Sequence, residues 1–264
     1  MNKKAIVTLA KNNKGVDHNW EHNFIILRNK SISRYLKDEE IDFVIFHESD
    51  FTNEYKKFIK NSSPVSIQQN IKFVEIPDFK PTEEEFYYLE KRATDPRIII
   101  SGYSSMCKFW SYGFLEYTKE YDKIIRIDDD CIVLSEIDII FEKLKKKLLV
   151  FPYLSGEDCR KNQMEYINKF FLEIHPIKNY RPIIDKRIES PYTNFCGFNL
   201  EKIRKNKHFF YFFKWLEENN LVYLYSWQDA GLWGILMKHM LDKNDWEEYN
   251  DTKYIHLSHL SFVN

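Results

Sequence analysis

The sequence predicts an α/β protein in which a mostly parallel central sheet is flanked by helices. Short apolar runs at 5–10, 42–46 and 71–76 alternate with helical patterns in units of about 30 residues, which is typical of βαβ units. A further strand-like run, 123–127, ends in the three aspartates 128–130. The composition, with 44% hydrophobic and 17% aromatic residues, is that of a globular protein.

The first half of the chain follows this alternation. After the first strand, the polar cluster 12–15 predicts a turn, and Asp17 is a candidate helix cap. The residues behind this cap have helical spacing: Trp20, Phe24, Leu27 and Ile32. Residues 50–60 form a polar helix between the second and third strands. Residues 77–96 are acidic and broken by prolines, so we place them outside the sheet, as an irregular connection or a short helix.

A broad apolar face at 101–120 predicts a long helix that leads into the strand at 123–127. The elements predicted after the aspartates are strands at 131–134 and 148–153 and helices at 137–147 and 157–171. Residues 175–192 contain three prolines and fit either an ordinary surface excursion or a loop that covers a substrate.

The last part of the chain contains a strand at 195–200, where Gly197 allows a close backbone approach. Helices are predicted at 208–219 and 229–241, before a final run at 254–259. Neither an internal repeat nor a flexible linker is visible, so we expect residues 1–264 to form a single domain.

The charge balance and the cysteines exclude several classes of protein. With 39 basic and 40 acidic residues, the chain lacks the positive surface of a general nucleic-acid-binding protein. The four cysteines, Cys107, Cys131, Cys159 and Cys196, lack zinc-site spacing and favour a reducing compartment. The N-terminus is not a signal peptide, and no apolar run approaches the roughly 18 residues of a transmembrane segment. We therefore expect a soluble, cytoplasmic protein.

The three aspartates 128–130 are the strongest functional signal. Ligands in open α/β sheets bind beyond the carboxyl ends of the strands, and clustered carboxylates there suit Mg²⁺ or Mn²⁺ bridging a diphosphate. An Asp-x-Asp arises roughly once by chance in a chain of this length and composition. Its position between the apolar runs 123–127 and 131–134 is what favours a metal-dependent nucleotide-sugar site.

Two segments of the chain carry a family resemblance. Residues 101–114, with Met-Cys-Lys-Phe, precede Arg-Ile-Asp-Asp-Asp at 126–130. This order resembles the fungal-type α-1,2-mannosyltransferases, which carry Ser-Tyr-x-x-Met-Cys-Arg-Phe before an Arg-Val-Glu-Pro-Asp metal motif. Thr-Asn-Phe at 193–195 and Trp-Gln-Asp-Ala at 227–230, against the family's Trp-Gly-Asp-Ala, follow in the same order.

The resemblance implies a GT-A glycosyltransferase that uses Mn²⁺ or Mg²⁺. Such an enzyme moves mannose from GDP-mannose to a glycan or glycoprotein acceptor with retention of configuration. Asp128 falls at the family's metal-binding Glu, and Asp130 matches the last Asp of that motif. In the family a histidine near the C-terminus completes the metal site, and His256 is the first candidate here, with His259 the second.

The same resemblance implies donor-binding residues. Tyr103 matches a family tyrosine close to the donor, and Lys108 stands where the family has Arg. Lys108 supplies a point charge in place of a planar fork, or it faces solvent on its helix. Arg126 is expected to pair with the acids that follow it and to serve the same site. Asp229 opens a helix and acts either as its N-cap or as a residue that holds the acceptor or donor sugar.

One position departs from the family. The family has a Glu, proposed as nucleophile, where this chain has Cys196. Retention then requires front-face attack within an ion pair, with the donor phosphate as base, or another carboxylate such as Glu189 or Asp229. The alternatives are a catalytically silent nucleotide-sugar-binding relative and a sugar nucleotidyltransferase. The latter usually has a Gly-rich phosphate loop, which residues 12–15 match poorly.

Overall fold

The computed structural model describes residues 3–11, 23–38, 40–79, 83, 87, 102–159, 161–257 and 261–262. The predicted turn at 12–15, the cap Asp17, Trp20 and His259 lie outside these ranges, as does most of the connection 77–96.

The centre of the fold is a seven-stranded sheet. Its strands, from one edge to the other, are β10 (Trp246–Glu248), β6 (Leu149–Phe151), β9 (Phe195–Asn199), β4 (Lys123–Ile127), β1 (Lys4–Ala10), β2 (Asp42–His47) and β3 (Ile71–Glu75). Four of the pairings are parallel, and β9 runs antiparallel to both of its neighbours. The predicted α/β class with a mostly parallel sheet is therefore confirmed.

Helices flank the sheet. Those described are α1 (Phe24–Tyr35), α2 (Asn53–Ser62), α3 (Val65–Gln68), α4 (Tyr103–Lys108), α5 (Asp138–Lys143), α6 (Lys161–Lys169), α7 (Leu200–Lys205), α8 (Lys207–Glu218), α9 (Leu221–Tyr225) and α10 (Asp229–Ile235). A 3₁₀ turn, Lys243–Asp245, precedes β10. Within the described ranges, every helix is too short or too polar to cross a bilayer.

Three helices continue into π-helical segments. Helix α4 runs through Phe109–Gly113 into a last α-helical turn, Phe114–Tyr117. Helix α6 continues as Phe170–Ile174, and α10 as Leu236–Met240. These segments complete the helices predicted at 101–120 and 229–241.

The sheet buries a core on each of its faces because successive side chains of a strand point to opposite sides. Val7, Val44 and Ile124 belong to the cluster on one face. The neighbouring residues Ile6 and Ile125 belong to the cluster on the other face. All five side chains are buried, so strands β1, β2 and β4 hold the middle of the molecule rigidly.

A small antiparallel sheet brings the C-terminal part of the chain to the end of β4. It consists of β5 (Cys131–Val133), β11 (Tyr254–His256) and β12 (Ser261–Phe262). In its register His256 lies opposite Cys131. Because β5 follows the three aspartates directly, this pairing places His256 beside them.

A two-stranded antiparallel ribbon corrects the prediction for the third quarter of the chain. Strand β7 (Leu154–Asp158) pairs with β8 (Arg187–Pro191). The helix predicted at 157–171 was wrong in its first residues, which form β7, and the interrupted stretch 175–192 ends in β8. The two strands are about 30 residues apart, and their pairing produces no periodic pattern of apolar residues within either segment. The sequence analysis therefore missed the ribbon.

Candidate functional site

The aspartates lie at the carboxyl end of β4, as the sequence predicts. The backbone N–H of Asp128 donates to the carbonyl of Asn194 at 2.9 Å, and Cys131 N–H donates to the carbonyl of Asp128 at 3.1 Å. These bonds turn the chain sharply between β4 and β5. Three consecutive carboxylates are therefore held at one edge of the central sheet.

Arg126 joins this edge to helix α10. Its Nε and Nη2 donate to the two carboxylate oxygens of Asp128 at 2.8 and 3.1 Å, and Nη1 donates to Asp229 Oδ2 at 2.6 Å. The guanidinium lies 4.3 Å from the ring centroid of Trp110 and is 4% exposed. Burial alone would lower the pKa of Arg126, but the two carboxylates raise it above its ordinary value. The charge of this residue is therefore permanent.

Asp229 is the first residue of α10, and its side chain does not cap that helix. The N-cap is Gln228, whereas Asp229 Oδ2 accepts hydrogen bonds from Arg126 and from Thr193 Oγ1, the latter at 2.8 Å. The side chain is buried, and the N-terminus of a helix favours a negative charge. The structure therefore fixes a carboxylate beside the aspartates, consistent with a site role and not with the N-cap interpretation.

His256 lies against Asp130. His256 Nε2 is 3.2 Å from Asp130 Oδ1, and its Nδ1 is 3.0 Å from the hydroxyl of Tyr192. The backbone N–H of Leu257 donates to the carbonyl of Asp130 at 3.1 Å, which ties the two strands together. His256 is 7% exposed. Tyr192 thus orients the imidazole so that Nε2 faces the carboxylate.

The donor set at this point fits a divalent cation. Among the described residues, Asp130, Cys131 and His256 present ligand atoms within 4.8 Å of one another. Burial raises the pKa of the Cys131 thiol well above its ordinary value, and the thiol donates to the carbonyl of Asn194 at 3.8 Å, so the thiol is neutral. The remaining donors, a carboxylate and an imidazole, suit Mn²⁺.

A second arginine, which the sequence analysis did not single out, lies beneath the aspartates. Arg28 is wholly buried, and its Nε donates to the carbonyl of Ile127 at 3.0 Å. Burial lowers the pKa of Arg28 to about 10, while Asp129 opposes this effect. Burial and the neighbouring carboxylates raise the pKa of Asp129 to about 7. The sequence does contain a signal for this residue, because Arg28 lies on the apolar face of a predicted helix, between Leu27 and Ile32, where a charged side chain is unusual.

Tyr103 and Lys108 lie on different faces of α4. Burial and the neighbouring Cys107 thiol raise the pKa of Tyr103, and the charge of Asp229 adds to that effect. Lys108 Nζ is 2.9 Å from Glu217 Oε1 and lines a cavity of about 920 Å³ between α4 and α8. The ammonium of Lys108 is thus paired within this cavity, and the structure does not bring it to the aspartates.

Cys196 and Glu189 also lie in different environments. Cys196 is opposite Arg126 in the β4–β9 register and is 0% exposed, and burial raises the pKa of its thiol. Glu189 pairs with Lys238, and its side chain is 64% exposed. Asp229, the remaining candidate, is the one whose carboxylate the structure brings to the aspartates.

Solved structures with the same fold are glycosyltransferases. Core-mannan synthase A (CmsA/Ktr4) of Aspergillus fumigatus, in its Mn/GDP form, superposes with a TM-score of 0.74 and 16% identity, over 97% of this chain and 75% of that one. The mannosyltransferase Ktr4p of S. cerevisiae superposes with a TM-score of 0.71 and 19% identity, over 96% of this chain and 70% of that one. Mouse xyloside xylosyltransferase 1 superposes with a TM-score of 0.52 and 13% identity, over 93% of this chain and 84% of that one.

No protein-family model matches the sequence, and no curated protein matches it by sequence. At these identities the superpositions establish the fold. The fold is the GT-A fold, and the resemblance to fungal mannosyltransferases is confirmed at that level.

Proposed function

We propose that this protein is a divalent-metal-dependent glycosyltransferase that moves mannose from GDP-mannose to a hydroxyl of a glycan or glycoprotein with retention of configuration. The observation that carries the proposal is the pair of Asp130 and His256, whose donor atoms are 3.2 Å apart at the carboxyl edge of the sheet. The related solved structures support the choice of ligand, since one is described as an Mn/GDP form and another as a GDP complex.

Asp130 and His256 would hold the cation, and Asp128 is the proposed third ligand. Each oxygen of Asp128 accepts one hydrogen bond from Arg126 and keeps a second lone pair for a metal. A bound Mn²⁺ supplies positive charge that neutralises the departing nucleotide diphosphate. The carboxylates of Asp128, Asp130 and Asp229 outnumber the guanidinium of Arg126 here. A divalent cation would offset this excess negative charge and so allow a diphosphate to bind.

The transfer can be written without a covalent intermediate on the protein. The bond between the anomeric carbon and the phosphate oxygen breaks, and its electron pair leaves with GDP. The acceptor hydroxyl attacks the same face of the sugar, and its proton passes to the leaving phosphate oxygen. Asp229 holds a fixed negative charge near the developing positive charge of the ring. Cys196 takes no part, because its thiol is buried and neutral.

Calorimetry with GDP tests the metal site. We expect Mn²⁺ to strengthen GDP binding to the wild-type protein and to have no such effect on Asp130→Ala, because the cation loses a ligand. Glu142→Gln is the matched control, since Glu142 is an exposed acid that pairs with Lys145. Equal Mn²⁺-dependent binding by Asp130→Ala and wild type would refute the metal assignment.

Release of GDP from GDP-mannose tests the reaction. Turnover in the presence of Mn²⁺, with or without a sugar acceptor, supports a transferase. The buried thiol at position 196 motivates the second candidate, a nucleotide-sugar-binding protein without activity. Tight Mn²⁺-dependent binding of GDP-mannose with neither transfer nor hydrolysis would establish that second function.

A further inference from the structure

Glu157 is an acid that neither the sequence analysis nor the proposed reaction uses. It lies on β7, opposite Ile188 of β8. Side chains two residues apart on a strand share a face, so Glu157 shares a face with Ser155. Ser155 Oγ is 3.2 Å from Ser190 Oγ, and Ser190 packs against Gly234 of α10. The carboxylate of Glu157 is therefore on the ribbon face that covers α10.

The electrostatic surroundings of Glu157 include the charge of Asp229. Burial, followed by the charge of Asp229, raises the pKa of Glu157, and Glu157 in turn raises the pKa of Tyr103. Helix α10 contacts both strands of the ribbon and also contacts the π-helical continuation of α4, so these elements meet around α10. Glu157 is only partly buried, so solvent and small molecules reach it.

The contacts also relate the acids of the site to one another. Asp130 contacts His256 at one end, and Asp128 is joined to Asp229 through Arg126 in the middle. Glu157 lies on the ribbon that packs against α10, the helix that begins with Asp229. If the diphosphate lies at the Asp130 end, the transferred sugar occupies the middle and the acceptor lies at the Glu157 end.

A buried hydrogen-bond donor lies beside the first turn of α10. Gln163 is 4% exposed, and its Oε1 accepts from Cys159 Sγ at 3.6 Å. Its Nε2 has no hydrogen-bond partner in the described part of the chain. That nitrogen is 3.9 Å from the position of a Cβ at Gly231, in the first turn of α10. An unpaired buried N–H destabilises the folded protein, and the oxygen of a bound hydroxyl would satisfy it.

We propose that Glu157 is an acceptor-binding residue, whose carboxylate accepts hydrogen bonds from the hydroxyls of a neutral sugar bound between β7, Tyr103 and the first turn of α10. The inference rests on the proposed function and adds to it the subsite for the second substrate. A carboxylate accepts from two adjacent hydroxyls at once, which favours a sugar over a peptide side chain as the attacking group.

The test uses Glu157→Gln, which keeps the shape of the side chain and removes its charge. With GDP-mannose as donor and methyl α-mannoside as acceptor, we expect the KM for the acceptor to rise about tenfold, since a charged hydrogen bond is lost. The KM for GDP-mannose and the rate of its hydrolysis without acceptor stay within about twofold. Asp158→Asn, on the exposed face of the same strand, keeps both KM values.

The assignment is overturned if Glu157→Gln leaves the KM for the acceptor unchanged, or if it raises only the KM for GDP-mannose. A binding measurement separates this failure from failure of the proposed function. Saturation-transfer NMR with GDP present should show methyl α-mannoside on the wild-type protein and not on Glu157→Gln, even if nothing is turned over. Equal signals from the two proteins, or no signal from the wild type, would overturn the inference.

Discussion

Nη1 of Arg126 lies 2.6 Å from Oδ2 of Asp229, and this ion pair joins the penultimate residue of the central strand β4 to the first residue of α10. The two residues are 103 positions apart in the chain, and both are buried. Because Arg126 also holds both oxygens of Asp128, one guanidinium orients two of the carboxylates of the site. The relative positions of these two carboxylates therefore depend on Arg126.

Arg126→Met is expected to lower the free energy of unfolding by about 3–5 kcal/mol, because it leaves Asp128 and Asp229 buried without a counter-charge. Urea unfolding followed by circular dichroism measures this change. Lys143→Met is the matched control, since Lys143 forms a partly exposed pair with Glu247. That variant should lose under about 1 kcal/mol. Equal losses from the two variants would contradict the role given to Arg126.

Tyr192→Phe is expected to weaken Mn²⁺ binding about tenfold, because the hydroxyl that orients His256 is removed while both proposed ligands remain. Titration of free Mn²⁺ by electron paramagnetic resonance measures the affinity directly, without substrate. Tyr166→Phe serves as the control, since its hydroxyl meets Tyr225 at 2.9 Å. Unchanged Mn²⁺ affinity in Tyr192→Phe would show that the histidine is held by other contacts or does not bind the ion.

Cys196→Ala is expected to keep the rate of GDP release from GDP-mannose within about twofold of wild type, since a buried neutral thiol does not reach the sugar. Cys196→Glu should instead lower Tm, because a carboxylate in the core costs several kcal/mol when Arg126 is already occupied. Loss of turnover in Cys196→Ala at unchanged Tm would place the thiol in the reaction.

The parts of the fold that were predictable are those with a local pattern. Strand β4 and its aspartates are an apolar run followed by charge, and they lie where the sequence places them. The position of His256 followed from the family resemblance, and the structure places it 3.2 Å from Asp130. That contact depends on the pairing of β11 with β5, which connects residues more than 120 positions apart.

Other parts of the site had no local signal. Arg28 reaches Ile127 across 99 positions, and Glu157 lies in a strand whose partner β8 comes about 30 residues later. Lys108 is the opposite case, because a local motif was present but pointed to the wrong place. The motif suggested the donor site, whereas the ammonium pairs with Glu217. Periodicity reports contacts within an element, whereas buried charges are placed by contacts between elements.

Stability should fall as the pH drops because of His47. This ring is buried, stacks on Phe51 at 4.9 Å and donates from Nδ1 to the carbonyl of Glu48 at 2.8 Å. Burial lowers the pKa of His47 below its ordinary value of 6.5, and Lys56 lowers it further, while the hydrogen bond to Glu48 and the charges of Glu75 and Asp50 oppose this effect in part. The unfolded chain then binds a proton more readily than the folded one, so stability is lost as the pH falls through about 6.5.

Chemical unfolding at about pH 7.5 and about pH 5.5 measures this effect by comparison with His47→Asn, which does not titrate. The difference in unfolding free energy should shift in favour of His47→Asn at the lower pH, because the unfolded state of that variant gains no proton at position 47. Comparing the two proteins cancels the contribution of the carboxylates. A difference that does not change with pH would mean that the folded state accommodates the charged ring.

Two glycines of α10 distinguish close packing from simple helix propensity. A Cβ at Gly234 would lie 2.6 Å from Ser190 Cβ and 2.9 Å from its Cα, whereas a Cβ at Gly231 meets Gln163 Nε2 at 3.9 Å. Gly234→Ala should therefore cost about 1–3 kcal/mol through overpacking, while Gly231→Ala should gain up to about 1 kcal/mol from helix propensity. Urea unfolding of both variants measures the contrast. Ser190 belongs to the ribbon that carries Glu157. A large loss of unfolding free energy in Gly234→Ala, combined with normal stability in Gly231→Ala, would show that the ribbon packs through this contact. Equal effects of the two substitutions would show that it does not.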